Sequence, residues 1–368
     1  METQVITLPN PSSEGVKEAK SAAASLRFAI VVAALCVLLA VAIVVATAVG
    51  PIAIKPGSVL SILIATVFNR MHLQTGSVEG AIIFQIRLPR VVASALVGAA
   101  LSMAGVLFQG LFRNPMADPY VIGSSGGAAL GATIGLVWMP RLSVLGFSAS
   151  AFFAFVASVL TMLLVYWLAR VAGRTPIVTL LLAGLAVGTI LNNSTAFVVM
   201  LRPESELAVR LLATWVHGAI SITEWPQIGV IAVLIGIGTM ASKPLARILN
   251  TLALGEDYAQ QLGVRVEVAR AMIILVGSLL TAAAVSLGGL IGFVGLVVPH
   301  FIRLLIGPDH IRLLPLSGLA GAIFLVLADT LARTAFAPSE LPVGVLTAIV
   351  GGPAFLYLLR KGRREHLG

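Results

Sequence analysis

Apolar runs of about twenty residues, each long enough to cross the hydrocarbon core of a bilayer, recur along this chain. Windows of that size give ten candidates, at roughly 27–50, 91–111, 121–139, 144–168, 177–200, 226–242, 269–288, 291–306, 313–334 and 344–360. The eighth is short and broken by Gly292, Gly295 and Pro299. Composition agrees: 58% of the residues are hydrophobic and 11% charged, whereas soluble domains average about 45–50% and 25%. A soluble domain, a disordered chain, a disulfide scaffold and a nucleic-acid binder are excluded. The expected fold class is all-α, a polytopic membrane protein with about ten transmembrane helices. The 36 Gly and 18 Pro suit that class, because neighbouring helices in a membrane re-satisfy freed backbone groups.

The flanking segments set the topology. Residues 1–25 are polar and mixed in charge, which predicts a disordered cytoplasmic tail. The run that follows is too long for the 7–15-residue core of a signal peptide, although Ala46-Thr47-Ala48 resembles a cleavage site. The stretch 51–90 reads as an extracytoplasmic loop with a surface helix near 57–68, and 362–368 as a cytoplasmic tail. With the N-terminus inside, eight of the 24 basic residues fall outside: Lys55, Arg70, Arg87, Arg90, Arg141, Arg202, Arg210 and Arg333. The remaining sixteen lie inside, so the charge obeys the positive-inside rule. Most of the net charge of +9 is thereby explained without any nucleic acid.

Small residues crowd the second span at Gly98, Ala99, Ala100, Ser102, Ala104 and Gly105, as close helix packing in lipid requires. No phosphate-cradling G-x-x-x-x-G-K-[ST] loop is present. No His, Cys or carboxylate set has metal-ligand spacing, so neither a metal site nor an enzyme is read here. Asp329 and Arg333 stand four apart on the ninth span, at ion-pair spacing. No span carries the chain of carboxylates expected of an ion-driven carrier. The cytoplasmic segment 243–268 is long for a bundle connection. It holds a short amphipathic helical pattern that closes at Gly263, suited to docking on a partner.

Motifs in this order resemble one family. They are Arg87-Leu88-Pro89-Arg90, then Leu107-Phe108-Gln109-Gly110-Leu111-Phe112-Arg113-Asn114-Pro115-Met116-Ala117-Asp118-Pro119. The segment Leu254-Gly255-Glu256 through Leu262-Gly263-Val264 follows, then Gly292-Phe293-Val294-Gly295-Leu296-Val297-Val298-Pro299-His300, Gly307-Pro308-Asp309-His310 and Glu340-Leu341-Pro342-Val343-Gly344. The chain resembles, over about 27–361, the permease subunit of type II ABC importers for iron chelates, haem and vitamin B12. The resemblance implies ten spans per subunit, a homodimer with a path along its two-fold axis, two copies of a separate ATPase subunit and an extracytoplasmic substrate-binding protein. ATP and Mg would be bound by that ATPase, and no cofactor by this chain. The cargo would be a bulky metal chelate: a ferric siderophore, ahead of vitamin B12 or haem.

The resemblance also implies roles for residues. Gly255, Glu256, Asp257, Ala259, Leu262 and Gly263 would seat in the ATPase. Arg87, Arg90 and Arg333 would grip carboxylates of the binding protein, for which a planar guanidinium is suited. Alternatively Arg333 pairs with Asp329, and Arg87 anchors at the interface. Asn114 and Met116 match the cytoplasmic gate, whose second loop is here Thr175-Pro176-Ile177-Val178-Thr179, so that Thr175 and Thr179 join it. Asn192, Asn193, Ser194 and Thr195 form a polar patch in the path-lining fifth span, facing the path or a neighbouring helix. His300 reads as a structural cap rather than a metal ligand. The alternatives of another class are a secondary carrier acting without an ATPase and a non-transporting scaffold.

Overall fold

A computed structural model of the chain describes residues 11–50, 54–67, 78–144, 146–201, 206–220, 224–337 and 339–365. In chain order the elements begin with α1 (Pro11–Ala48), α2 (Pro56–Val67) and α3 (Val78–Ala81). A π-helical turn, Ile82–Arg87, joins α3 to α4 (Leu88–Leu111), and a 3₁₀ turn, Pro119–Ile122, leads into α5 (Ser124–Trp138). A small antiparallel hairpin, β1 (Ser143–Val144) and β2 (Phe147–Ser148), precedes α6 (Ala149–Ala169), α7 (Ile177–Met200) and α8 (Glu206–Val216). Then come α9 (Trp225–Ala253), α10 (Glu256–Gln261), α11 (Val266–Gly288), α12 (Val294–Ile306), α13 (His310–Thr334) and α14 (Val343–Glu365).

Seven helical stretches among the described residues are long and apolar enough to cross a membrane: 25–48, 78–111, α6, α7, α9, α11 and α13. The other three expected spans fall on α5, α12 and α14. Thirteen-residue α12 rises only about 20 Å at 1.5 Å per residue, less than the roughly 30 Å hydrocarbon core. It follows a break in which Gly289 and Phe293 take left-handed backbone angles (φ +64° and +68°), so α11 and α12 behave as two helices around an interruption.

Five boundaries differ from the sequence expectation, the first four for a readable reason. The helix of α1 begins at Pro11, so 11–25 continues the first span instead of forming a disordered tail; Ala-rich 18–25 is strongly helix-favouring, and Pro sits well in a first turn. Residues 1–10 lie outside the described chain. The expected loop 51–90 ends early, because helix already runs from Val78. The ring of Pro89 would break an ordinary α-helix, but the π turn absorbs it: Leu88 N–H bonds to the carbonyl of Ile83, five residues back. The surface helix appears as α2, while 51–53 and 68–77 lie outside the described residues. The fourth span starts at Ala149, since Gly146 (φ +82°) closes the hairpin and Ser148 caps α6. The segment 243–268 is mostly helix, as α9 continues to Ala253 by burying Leu245, Leu249 and Leu252 on one face. At the far end α14 runs to Glu365, past the expected limit of the last span.

Helix α4 is the axle of the bundle. It packs against α9, α11, α12 and α13, and 78% of its apolar window is buried. Backbones touch where glycines meet. A Cβ on Gly98 would strike the carbonyl oxygen of Gly321 in α13, and one on Gly105 would strike that of Gly295 in α12. By contrast only 22% of the α7 window and 6% of the α1 window are buried, so both present apolar flanks outward. Gly236, in α9, has open space where a Cβ would be. Gly105→Val should therefore push α4 off α12 and lose the folded protein, by about 1–3 kcal/mol or more. Gly236→Val should leave the detergent-extracted protein's melting temperature within a degree or two, as followed by size-exclusion after heating.

Candidate functional site

The candidate residues sort to the two ends of the bundle. At one end lies α10. Gly255 before it adopts φ +125° and Gly263 after it φ +84°. The helix closes as its glycine predicts: Val264 N–H bonds to the carbonyl of Ala259 (3.0 Å) and Gly263 N–H to that of Gln260 (2.9 Å), the paired bonds of a Schellman cap. Glu256 and Asp257 occupy the first turn, where the helix dipole favours negative charge. Ala259 is buried and holds the helix to the bundle. Leu254, Tyr258 and Leu262, spaced by four, stay 68%, 51% and 59% exposed, an apolar row without a covering among the described residues. Of these the sequence reading had singled out only Leu262, though the i, i+4, i+8 spacing carries the signal.

Both loops assigned to the gate are fastened beside α10. Arg270 of α11 ion-pairs with Glu256, donates to Glu267 (2.7 Å) and reaches the carbonyl of Thr175 (3.3 Å). Thr175 N–H in turn donates to Glu267 (2.9 Å). A buried guanidinium thus joins the α10 turn to the loop between α6 and α7. Thr175 is buried, Thr179 half-buried on the first turn of α7. On the other side Arg113, in a left-handed conformation (φ +48°), donates to the carbonyl of Leu252 (2.6 Å), tying the loop after α4 to the end of α9. In that loop exposed Asn114 accepts from the backbone of half-buried Met116 (2.9 Å). Asp118 caps the 3₁₀ turn through Tyr120 N–H (2.8 Å); burial pushes its carboxyl up to about 6. The 3₁₀ turn and α5 lie against α7 at Gly184 and Gly188, so both gate segments meet on one helix. Arg270 and Glu267 were missed in the sequence, although their i, i+3 spacing is the kind read at Asp329 and Arg333.

The three arginines assigned to docking lie at the opposite end, Arg90 and Arg333 on Asp329 and Arg87 on the end of α1. Arg333 donates to Asp329 (3.1 Å) and to the carbonyl of Ala46 (3.3 Å). Arg90 reaches Asp329 (3.0 Å) and Glu340 (2.7 Å). Arg87 donates to the carbonyls of Thr47 and Ala48, both at 2.9 Å, capping the last turn of α1. Arg87 and Arg333 are each only 5% exposed, so they anchor α1 and are not presented outward; Arg90 and Glu340 form the accessible rim. Of the alternatives weighed, the ion pair of Arg333 with Asp329 is realised.

The polar patch lies on the least covered helix. Asn193, Ser194 and Thr195 bond back to carbonyls of Thr189, Ile190 and Leu191 in their own helix, and Asn192 and Asn193 are exposed. His300 is part of α12 and caps nothing; its Nδ1 has no hydrogen-bond partner among the described residues. Also missed was Gln109, buried in α4, which donates to the carbonyls of Gly295 and Leu296 (3.3 and 3.1 Å) and accepts from Arg303 (2.8 Å). Among the described residues no three His, Cys, Asp or Glu side chains converge as a metal site would need.

Comparison with known proteins agrees with this architecture. The profile of the FecCD transport family matches residues 22–361, and the chain belongs to that family. It is 43% identical over 297 residues to the cobalamin import system permease protein of Halobacterium salinarum, covering 80% of this chain and 78% of that one. It is 39% identical over 312 residues to the hemin transport system permease protein of Yersinia pestis, covering 84% and 91%. Among solved structures, one described as an inward-facing conformation of a metal-chelate type ABC transporter superposes with a TM-score of 0.74 at 29% identity, over 90% of this chain and 98% of that one.

The buried cluster makes a sharp stability contrast. Asp329→Asn leaves two guanidinium groups without their shared carboxylate and should cost about 3–5 kcal/mol. Glu340→Gln removes a half-exposed partner and should cost under about 1 kcal/mol. Thermal unfolding of the two variants in detergent, side by side, measures the difference.

Proposed function

We propose that this chain is the membrane-embedded permease subunit of an ATP-driven importer, working as a homodimer that moves a bulky metal chelate into the cytoplasm. In this reading α10 seats in a separate ATPase subunit, one per permease, which binds the ATP and Mg. The observation that carries it is the linkage at α10: an exposed apolar row on one side, and on the other Arg270 tying it to the α6–α7 loop, while Arg113 ties the loop after α4 to the adjoining end of α9. A push on α10 would thereby move Asn114, Met116, Thr175 and Thr179 together. The named roles of the cobalamin and hemin relatives, and of the metal-chelate type structure, support the same class of cargo. A ferric siderophore, vitamin B12 and haem are all members of it.

The rest of the assembly follows from this placement. The α10 end would face the cytoplasm together with both termini, and the Asp329 end would receive the binding protein. There Arg90 would make the contact, while Arg87 and Arg333 act through it by holding α1 and Asp329 in position. Asn192, Asn193, Ser194 and Thr195 on sparsely covered α7 would line the path between two copies. A carboxamide facing lipid costs several kcal/mol, which favours a wet path or a partner helix for Asn192.

Three results test the reading. Gentle purification from native membranes should bring an ATPase at about one copy per permease; a chain that comes alone, and whose vesicles take up solute without ATP, would sink it. Glu256→Lys should abolish chelate uptake by turning an anion into a cation beside Arg270, with folded protein still in the membrane. Arg270→Gln should lower uptake strongly while ATPase co-purification persists, because it cuts the link to Thr175 and spares the exposed row.

A further inference from the structure

A second charged feature lies apart from α10 and from the Asp329 cluster. Between the start of the apolar run of α1 and helices α4, α9 and α13 there is an open pocket of about 580 Å³. Its interior is apolar, formed by Phe28, Met103 and Leu314 among others. Its rim carries three cations, Lys243, Arg247 and Arg312, and none of the described residues lining it is acidic. Lys243 and Arg247 are exposed, and neither side chain has a hydrogen bond or ion pair to another described residue. Arg312 meets Asp309 only at 3.7 Å, and that carboxylate already accepts from Asn250 and from the backbone of Ile311.

The level of the pocket is informative. Helix α9 turns from its apolar stretch to Lys243 and Arg247 there, α13 begins there, and α1 enters its apolar run at Phe28. All three changes mark a membrane–water boundary, on the same end of the bundle as α10. A free phosphate would satisfy the cations and leave the apolar floor bare. A neutral lipid would cover the floor and leave three cations uncompensated. We propose that this pocket binds an anionic phospholipid, its phosphate held by Lys243, Arg247 and Arg312 and an acyl chain laid on Phe28, Met103 and Leu314. Basic pockets between membrane helices recognise such headgroups, each cation being worth about 1 kcal/mol near the surface, or roughly fivefold in affinity. The assignment is independent of what the protein carries.

The test uses the full chain, delipidated in detergent. Native mass spectrometry with phosphatidylglycerol and with phosphatidylcholine of the same acyl chains should show retention of the anionic lipid by preference. That lipid, and not inorganic phosphate, should raise the melting temperature of the unmodified protein. Lys243→Gln, Arg247→Gln and Arg312→Gln together should weaken phosphatidylglycerol retention by about fivefold per charge and leave phosphatidylcholine unchanged. A control removing three other exposed cations of the same end, Arg170→Gln, Arg174→Gln and Arg265→Gln, should change nothing. Equal retention of the two lipids, equal stabilisation by inorganic phosphate, unchanged binding in the pocket variant, or equal loss in the control would each overturn the assignment.

Discussion

Everything in this bundle depends on how closely α4 approaches its neighbours. Lipid offers no hydrophobic drive for helices to associate, so van der Waals contact and close backbones must do it. The chain achieves this by placing Gly98 against Gly321 and Gly105 against Gly295, with nothing but hydrogen between one backbone and the next. That contact sets where α12 and α13 stand. It also brings Gln109 within reach of the carbonyls of Gly295 and Leu296, just beyond the interruption that ends at Phe293, and so ties the short helix down. A permissive backbone at the break is affordable because α4 grips α12 on its far side.

Charge follows the same logic of ends. Among the described residues the most buried carboxylate, Asp329, is shared by Arg90 and Arg333. Desolvating such a set is costly, so its worth is specificity of place: Arg333 and Arg87 take the orphan carbonyls at the end of α1 and hold that weakly packed helix against α13. The carboxylate of Asp329 is committed to two guanidinium groups, a structural tie between α4 and α13.

Most spans were legible because twenty-residue apolar windows are a strong signal, and the cap at Gly263 because a left-handed turn favours glycine. The start of α4 was not, since Pro89 reads as a break and only a π turn makes it harmless. The burial of Arg87 was not legible either, because its partners are backbone carbonyls at Thr47 and Ala48, far away in the chain, which no local pattern reveals. The bond from Arg270 to Glu256 spans a turn of fourteen residues and two helices, beyond helical spacing. Its neighbour Glu267, three residues away, was within it.

That last contact bears most on mechanism. An amphipathic surface helix can bind a partner without moving anything. What turns binding into work is a stiff connection to the elements that must move. Here one guanidinium has partners on three segments at once: the α10 turn, the first turn of α11 and the α6–α7 loop. Arg113 makes the corresponding tie from the other gate loop to the end of α9. The α6–α7 loop cannot shift relative to α10, nor the loop after α4 relative to the end of α9, without breaking a charge-assisted hydrogen bond. Helix α7, by contrast, is sparsely packed and free on its outer face. In the proposed coupling, these ties and the sparsely covered helix would make α7, with the α6–α7 loop and the loop after α4, the part that α10 drives against α4.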